Sequence, residues 1–162
     1  MVTLAQAIEQ LNKTRAELLD AIQGVDQAAL DRKGVIGAWS IKNVLAHIAA
    51  WEAWVVQTLP ARLASGTTPP DLAQRLVDED ASNAEEVAER EELTPDEQLM
   101  ELERNRAELL AFVRGLDEAT LTRLNPWDTW AHTVPDYLLD ALRNHEAEHA
   151  ETLRAAAAAL TR

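Results

Sequence analysis

Apolar residues recur along this chain at intervals of three and four, the spacing that lines one face of an α-helix. No stretch sustains the interval of two that a half-buried strand requires. Four long helices are predicted. The first runs from about 3 to 23, with Leu4, Ile8, Leu11, Leu18 and Ile22 as its apolar stripe and Thr3 and Gln6 placed as a capping box. Gly24 ends it. A short helical turn after Asp26 leads into Gly34-Val35-Ile36-Gly37-Ala38-Trp39, where two glycines permit a tight bend. Ser40 caps the second helix, about 40 to 65, whose wide apolar face comprises Ile41, Val44, Leu45, Ile48, Trp51, Val55 and Leu59. Thr94-Pro95-Asp96-Glu97 opens the third, which carries Leu99, Leu102, Leu109, Leu110, Val113 and Leu116 and ends near Gly115. Thr133 and Pro135 open the last. At about 100° per residue, its Leu138, Leu142, His145, His149, Leu153, Ala156 and Leu160 share one sector of roughly 80°.

The segment between the second and third helices has a different character. Thr67-Thr68-Pro69-Pro70 breaks the chain, and an acidic stretch from Asp71 to Glu92 follows. It reads as a solvated helix or two laid along the others. Short loops join antiparallel neighbours, whereas a connection of about 30 residues carries the chain back far enough for the third helix to start parallel to the second. The fold class is therefore all-α, a four-helix bundle with an additional acidic helical segment, organised as a single domain over 1–162.

Composition narrows the chemistry. The chain has 162 residues and no cysteine, which excludes disulfides, thiolate metal ligands and a cysteine nucleophile. A formal net charge of −13 disfavours nucleic acid and anionic lipid as partners. No window approaches the roughly 20 apolar residues that span a bilayer, so a cytoplasmic location is expected. Tryptophan is over-represented among the aromatics, with five Trp against one Tyr and one Phe. The five, Trp39 among them, bracket the start of the second helix and the approach to the last, and Trp51, Trp54, Trp127 and Trp130 offer pocket walls, or equally an aromatic core.

Histidine supplies the candidate chemistry. The last helix carries Asn144-His145-Glu146-Ala147-Glu148-His149, two imidazoles one turn apart, inside the apolar stripe where leucine would ordinarily stand. His47 lies at one margin of the second helix's apolar face, flanked by Val44, Trp51 and Trp54. If the two helices adjoin, His47, His145 and His149 sit at levels that agree to about one turn and can converge as three nitrogen ligands. Zinc, nickel or ferrous iron would accept that set, and the ion would lower the pKa of a coordinated water toward about 7. Each histidine alone also reads as a hydrogen-bonded packing residue. His132, beside Trp130, is expected at a pocket rim or in solvent instead of as a fourth ligand. Glu148, three residues after His145, is the candidate general base or hydrogen-bond partner of a ligand histidine.

The run Gly37-Ala38-Trp39-Ser40-Ile41-Lys42-Asn43-Val44-Leu45-Ala46-His47-Ile48-Ala49-Ala50-Trp51-Glu52, followed some ninety residues later by His145-x-x-x-His149, resembles the DinB-like four-helix bundle superfamily. The Trp-Ser-Ile-Lys opening, the Ala-Trp-Glu after the histidine and the acidic insert resemble its DfsB/ClbS-like branch. The resemblance implies an up-down-down-up bundle and a divalent metal on His47, His145 and His149. It implies a metal-dependent hydrolase or thiol transferase acting on a small electrophilic compound, with a low-molecular-weight thiol as possible cosubstrate and a homodimer as assembly. The alternative within the same branch is a non-catalytic protein that sequesters a small molecule or docks through its helices.

Overall fold

The computed structural model describes residues 2–126 and 132–160. Every predicted start signal operates as a cap. Thr3 and Gln6 close a capping box on α1 (Leu4–Ala21), and Asp26 caps the short α2 (Gln27–Leu30). Ser40 and Asn43 box the start of α3 (Ile41–Ser65), and Thr94 and Glu97 box α6 (Pro95–Arg114). Each satisfies backbone N–H groups that the first turn leaves without partners. The acidic insert folds as α4 (Pro70–Ala73), a 3-10 turn (Gln74–Leu76) and α5 (Glu79–Glu89), the last capped by Asp78. A short α7 (Glu118–Thr122) forms after the third long helix, where the Asp117 side chain accepts from the Thr120 N–H. The last long helix begins as α8 (Val134–Leu138), capped by Thr133, passes through a π-helical segment (Leu139–Asn144) and continues as α9 (His145–Leu160). No strand forms among the described residues.

Buried contacts fix the directions. Arg15 of α1 donates to the Leu102 carbonyl of α6 while Arg106 of α6 donates to the Leu11 carbonyl of α1, so these helices run antiparallel. Lys42, at the start of α3, reaches the Glu91 carbonyl just before α6, and Ala49 further along accepts from Asn105, so α3 and α6 run parallel. Leu11 shares one apolar cluster with Leu138 and Leu142, and Leu18 shares another with Leu153 and Ala157, so α1 runs with α9. The bundle is up-down-down-up, as the long crossover requires.

Those two apolar clusters occupy opposite ends of the bundle. One gathers Leu18, Ile41, Leu45, Leu102 and Leu153, the other Leu11, Val55, Leu59, Leu109 and Leu138. Between them lies a layer of buried charge. Arg15 pairs with Glu146 through Nε and with Glu52 at 2.8 Å through Nη2. Arg106 pairs with Glu52 through Nε and with Glu146 at 3.1 Å through Nη2. The glutamates are 1% exposed and the arginines 6%. Each long helix contributes one member, and each member stands where that helix's apolar row would otherwise continue: 11-15-18, 48-52-55, 102-106-109 and 142-146-150. Two cations and two anions cancel, and the Nη1 groups finish their bonding on the Leu102 and Leu11 carbonyls at 3.1 and 2.8 Å. Such a ring is costly to bury and far costlier to leave half made.

Glu146→Leu, which strands two arginines against one carboxylate, should therefore lower the unfolding free energy by about 3–5 kcal/mol in a denaturant titration. Replacing all four charges together (Arg15→Met, Glu52→Leu, Arg106→Met, Glu146→Leu) should leave stability within about 2 kcal/mol of the parent or raise it. A single substitution no worse than the quadruple one would show that the four charges do not act as a unit.

Candidate metal centre

The antiparallel seam between α3 and α9 brings three imidazoles together. His47 Nε2 lies 2.9 Å from His145 Nε2, and His149 Nε2 lies 3.1 Å from the same atom. The ligating nitrogens of all three fall within 4.8 Å of one another. The rings stand edge to face, with centroids 4.5 to 5.0 Å apart, so the nitrogens and not the faces meet at the centre. Three ring nitrogens aimed at one point repel as lone pairs unless a proton or a cation lies among them. Four-coordinate bonds of 2.0–2.1 Å would set nitrogens about 3.3 Å apart, a few tenths of an ångström wider than the two approaches to His145 Nε2. The donor set fits a divalent ion.

Surroundings keep these imidazoles neutral, the form that ligates. Burial, reinforced by His149 and Arg75, pushes His47 down to about 4. Burial and then His149, His47 and Arg75 push His145 down to about 3. His149 is also lowered by burial, with Glu148 opposing. The Nδ1 of His47 is buried with no hydrogen-bond partner among the described residues, so on that side packing alone holds the ring. Trp39 is the adjoining wall, its centroid 5.6 Å from that of His47.

A cavity of about 290 Å³ opens beside the triad. The three histidines and Trp51 form its floor, and Arg75, Glu79 and Asn83 reach over it from the insert. Trp51 is held in two ways: its Nε1 donates to the Ala141 carbonyl at 2.6 Å, and its ring stacks on Trp54 with centroids 5.1 Å apart. That carbonyl belongs to the π segment.

A model of the DinB superfamily matches residues 4–153. The chain belongs to the DinB superfamily. Among solved structures, an uncharacterised protein from Escherichia coli UTI89 superposes with a TM-score of 0.77 at 18% identity, covering 97% of this chain and 94% of that one. The colibactin self-resistance protein ClbS, solved in complex with a double-stranded DNA, superposes with a TM-score of 0.76 at 14% identity, covering 94% and 93%. At these identities the likeness is one of fold. No curated protein matches the chain.

In this DinB bundle the expected site residues are placed unequally. His47, His145 and His149 come together, but not as their helical phases suggested. His47, expected at a margin, is 7% exposed, whereas the pair on the last helix is half-buried. The buried residues of α9 are Glu146, Ala150, Leu153, Ala156 and Ala157, so Leu153 and Ala156 are inside as expected while Glu146 and Ala150 take the places expected of His145 and His149. The π segment explains the shift. Its wider turn takes up about one extra residue, so Leu138 and Leu142 line up with Glu146 and Ala150, and the histidines turn out of the core toward α3. Trp51 lines the triad cavity. Trp54 is behind it, with Nε1 donating to the Leu72 carbonyl, and lines a second cavity of about 390 Å³ beneath the insert. His132 is half-buried and does not line the triad cavity, and Glu148 is exposed and does not line it either. Trp127 and Trp130 lie outside the described residues. Glu146, Arg75, Glu79 and Asn83 escaped sequence reasoning. The break in each apolar row was a visible signal for Glu146; nothing local distinguishes Arg75 within an acidic run.

The depressed imidazoles have a measurable consequence in the metal-free protein. Below the ordinary value of about 6.5 the unfolded chain takes up protons that the folded chain refuses until about 4 at His47 and about 3 at His145. Stability is complete above pH 6.5 or so and is lost as the pH falls toward 4. Thermal melts of chelator-treated protein should therefore show the Tm falling more steeply between about pH 7 and 5 than in His145→Leu. Parallel slopes would mean that the imidazoles titrate normally.

Proposed function

We propose that this DinB-superfamily protein holds a divalent ion on His47, His145 and His149 and uses it on a small electrophilic compound, as a hydrolase or thiol transferase in a detoxification or resistance role. The observation that carries the reading is the approach of the His47 and His149 Nε2 atoms to that of His145, beside an open cavity. Zinc and nickel suit three imidazoles best, with iron as a further occupant. Such an ion supplies Lewis acidity and lowers the pKa of a coordinated water or thiol toward neutrality. The chain's own residues do the rest: burial keeps the imidazoles unprotonated, and Trp51 and, from the insert, Arg75, Glu79 and Asn83 line the space beside them. The likeness to a self-resistance protein supports a protective role toward a reactive small molecule. ClbS was solved with DNA; the net charge of −13 here argues against the same partner. A cytoplasmic location accords with this role; no described helix is long and apolar enough to cross a membrane.

The stacked tryptophans and the second cavity beside Trp54 favour a further reading, a protein that sequesters its ligand without turnover. The two separate on the histidines. An enzyme loses its function in His47→Ala and His149→Ala, whereas a sequestering protein retains it.

Protein expressed without a histidine tag should bind one zinc or nickel ion per chain by elemental analysis after equilibration. His145→Ala, which removes the nitrogen common to both close approaches, should weaken binding by more than about a hundredfold, beyond what loss of an outer hydrogen bond produces. No ion at stoichiometric level in either metal would end the metal reading. The same proposal includes a homodimer: light scattering should return twice the 17.9 kDa chain mass, and 17.9 kDa itself would refute it.

A further inference from the structure

Arg75 is the one cation that reaches the triad cavity, among the described residues, and it is built in with unusual care for a member of an acidic insert. It stands in the 3-10 turn between α4 and α5 and is 7% exposed. Its guanidinium carbon lies 4.4 Å from the centroid of the Trp51 ring, the same ring that floors the cavity. The Nε and Nη2 atoms donate side-on to the two oxygens of Glu86, both at 2.8 Å, and Nη2 also donates to Asn83 Oδ1 at 3.0 Å. These bonds use the Nε N–H and both N–H groups of Nη2. The two on Nη1 have no partner among the described residues.

A guanidinium stacked on an indole and clamped by a carboxylate on one edge is held in orientation before any ligand arrives, so little rotamer freedom is lost when its second edge is used. The purely structural alternative, in which Arg75 only ties the insert to α3, accounts for the Glu86 pair and the Trp51 stack. It does not account for Arg75 being, among the described residues, the one cation that lines the cavity holding three metal-type ligands.

We propose that Arg75 is the specificity residue of the triad cavity, receiving on its Nη1 edge the carboxylate of a ligand whose reactive atom sits over the three histidines. The inference rests on the metal reading above and narrows the substrate class to small molecules carrying an anionic group a few bonds from the reacting centre. Glu86 opposes this role electrostatically while fixing its geometry: it neutralises part of the guanidinium charge but leaves two donors open. Glu79, exposed at the rim of the same cavity, disfavours anions only through solvent.

Cobalt-loaded protein supplies a test that does not depend on turnover. The visible cobalt spectrum reports thiol binding, and two probes share a thiol and a chain length: 3-mercaptopropionate and its neutral methyl ester. The acid should bind more tightly than the ester by about tenfold, the contribution of one charge-assisted hydrogen-bonded contact. Arg75→Gln should abolish that ratio while leaving the ester's affinity within about twofold. Glu86→Gln, which keeps the arginine and removes its counter-charge, should raise the ratio. A residue that merely props the insert would give the opposite pattern, with both variants weakening acid and ester alike, and that result overturns the assignment. So does an equal affinity of the unaltered protein for the two thiols. Absence of a cobalt spectrum would overturn the metal reading and the Arg75 assignment together, whereas a normal spectrum with an unchanged ratio in Arg75→Gln overturns Arg75 alone.

Discussion

The four-charge ring of Arg15, Glu52, Arg106 and Glu146 is the constraint on which the remaining geometry depends. Hydrophobic packing is tolerant of rotation, because leucine rows can slip by part of a residue and still exclude water. A buried carboxylate facing two guanidinium groups has no such tolerance, since losing one partner strands a charge in an apolar interior. Each long helix contributes one member, so the ring sets the rotational phase of all four at the same level. The triad inherits that precision. Glu52 lies five residues after His47 on α3, and Glu146 directly follows His145 on the last helix. When the two glutamates are turned into the core, the histidines fall on the adjoining flank, where α3 and α9 meet. Thr14 adds a further restraint, donating to Glu146 at 3.1 Å from α1.

The π segment does the complementary work along the helix axis. In a continuous α-helix from Thr133 to Leu160, Glu146 would sit some 80° round from Leu138, because eight residues advance about 800°, and the two would lie toward opposite margins of the buried sector. One extra residue in a wider turn absorbs most of that difference. The cost is a loosened set of backbone bonds, and the Trp51 indole answers it by donating to the Ala141 carbonyl within the segment. The same side chain thus stabilises the irregular turn, floors the cavity and carries the Arg75 guanidinium. Removing it would disturb three features at once, which is why no single role can be read from its burial.

Much of this was legible in the sequence, in proportion to how local each signal is. Caps at Thr3, Ser40, Thr94 and Thr133 act over three residues, and the structure has them where the side-chain types put them. The crossover length implied a parallel α3 and α6 because chain reach is a matter of counting. The exact face of the last helix was not legible, since a π turn leaves no compositional mark and angular projection assumes a constant 100° per residue. The histidine pair was therefore placed in the centre of the buried row when it belongs on the flank. His47 was placed on the flank when it is the most buried of the three. The charge ring left a trace, an arginine or glutamate at one vacant position in each apolar row, but the trace acquires meaning only when four rows are set side by side at one level. Arg75 left none: its value comes from a contact with a ring 24 positions earlier in the chain.

Net charge is a poor guide to what the cavity attracts. At physiological ionic strength the field of an exposed carboxylate fades over about 8 Å, so most of the excess acid on the insert and on the outer faces is felt by solvent and not by a ligand at the triad. Inside that distance the balance differs. The Arg15 and Arg106 charges are cancelled by Glu52 and Glu146 in the core, and Arg75 is offset by Glu86 on one edge only. Any divalent ion on three neutral imidazoles would add its whole charge, there being no carboxylate among the ligands to reduce it. With such an ion bound, the cavity would be electropositive at short range within a protein that is strongly electronegative at long range. That arrangement slows the approach of large polyanions, whose many charges sum the distant field. It leaves a small anion, which senses only the last few ångströms, governed by the arginine and the metal-type site.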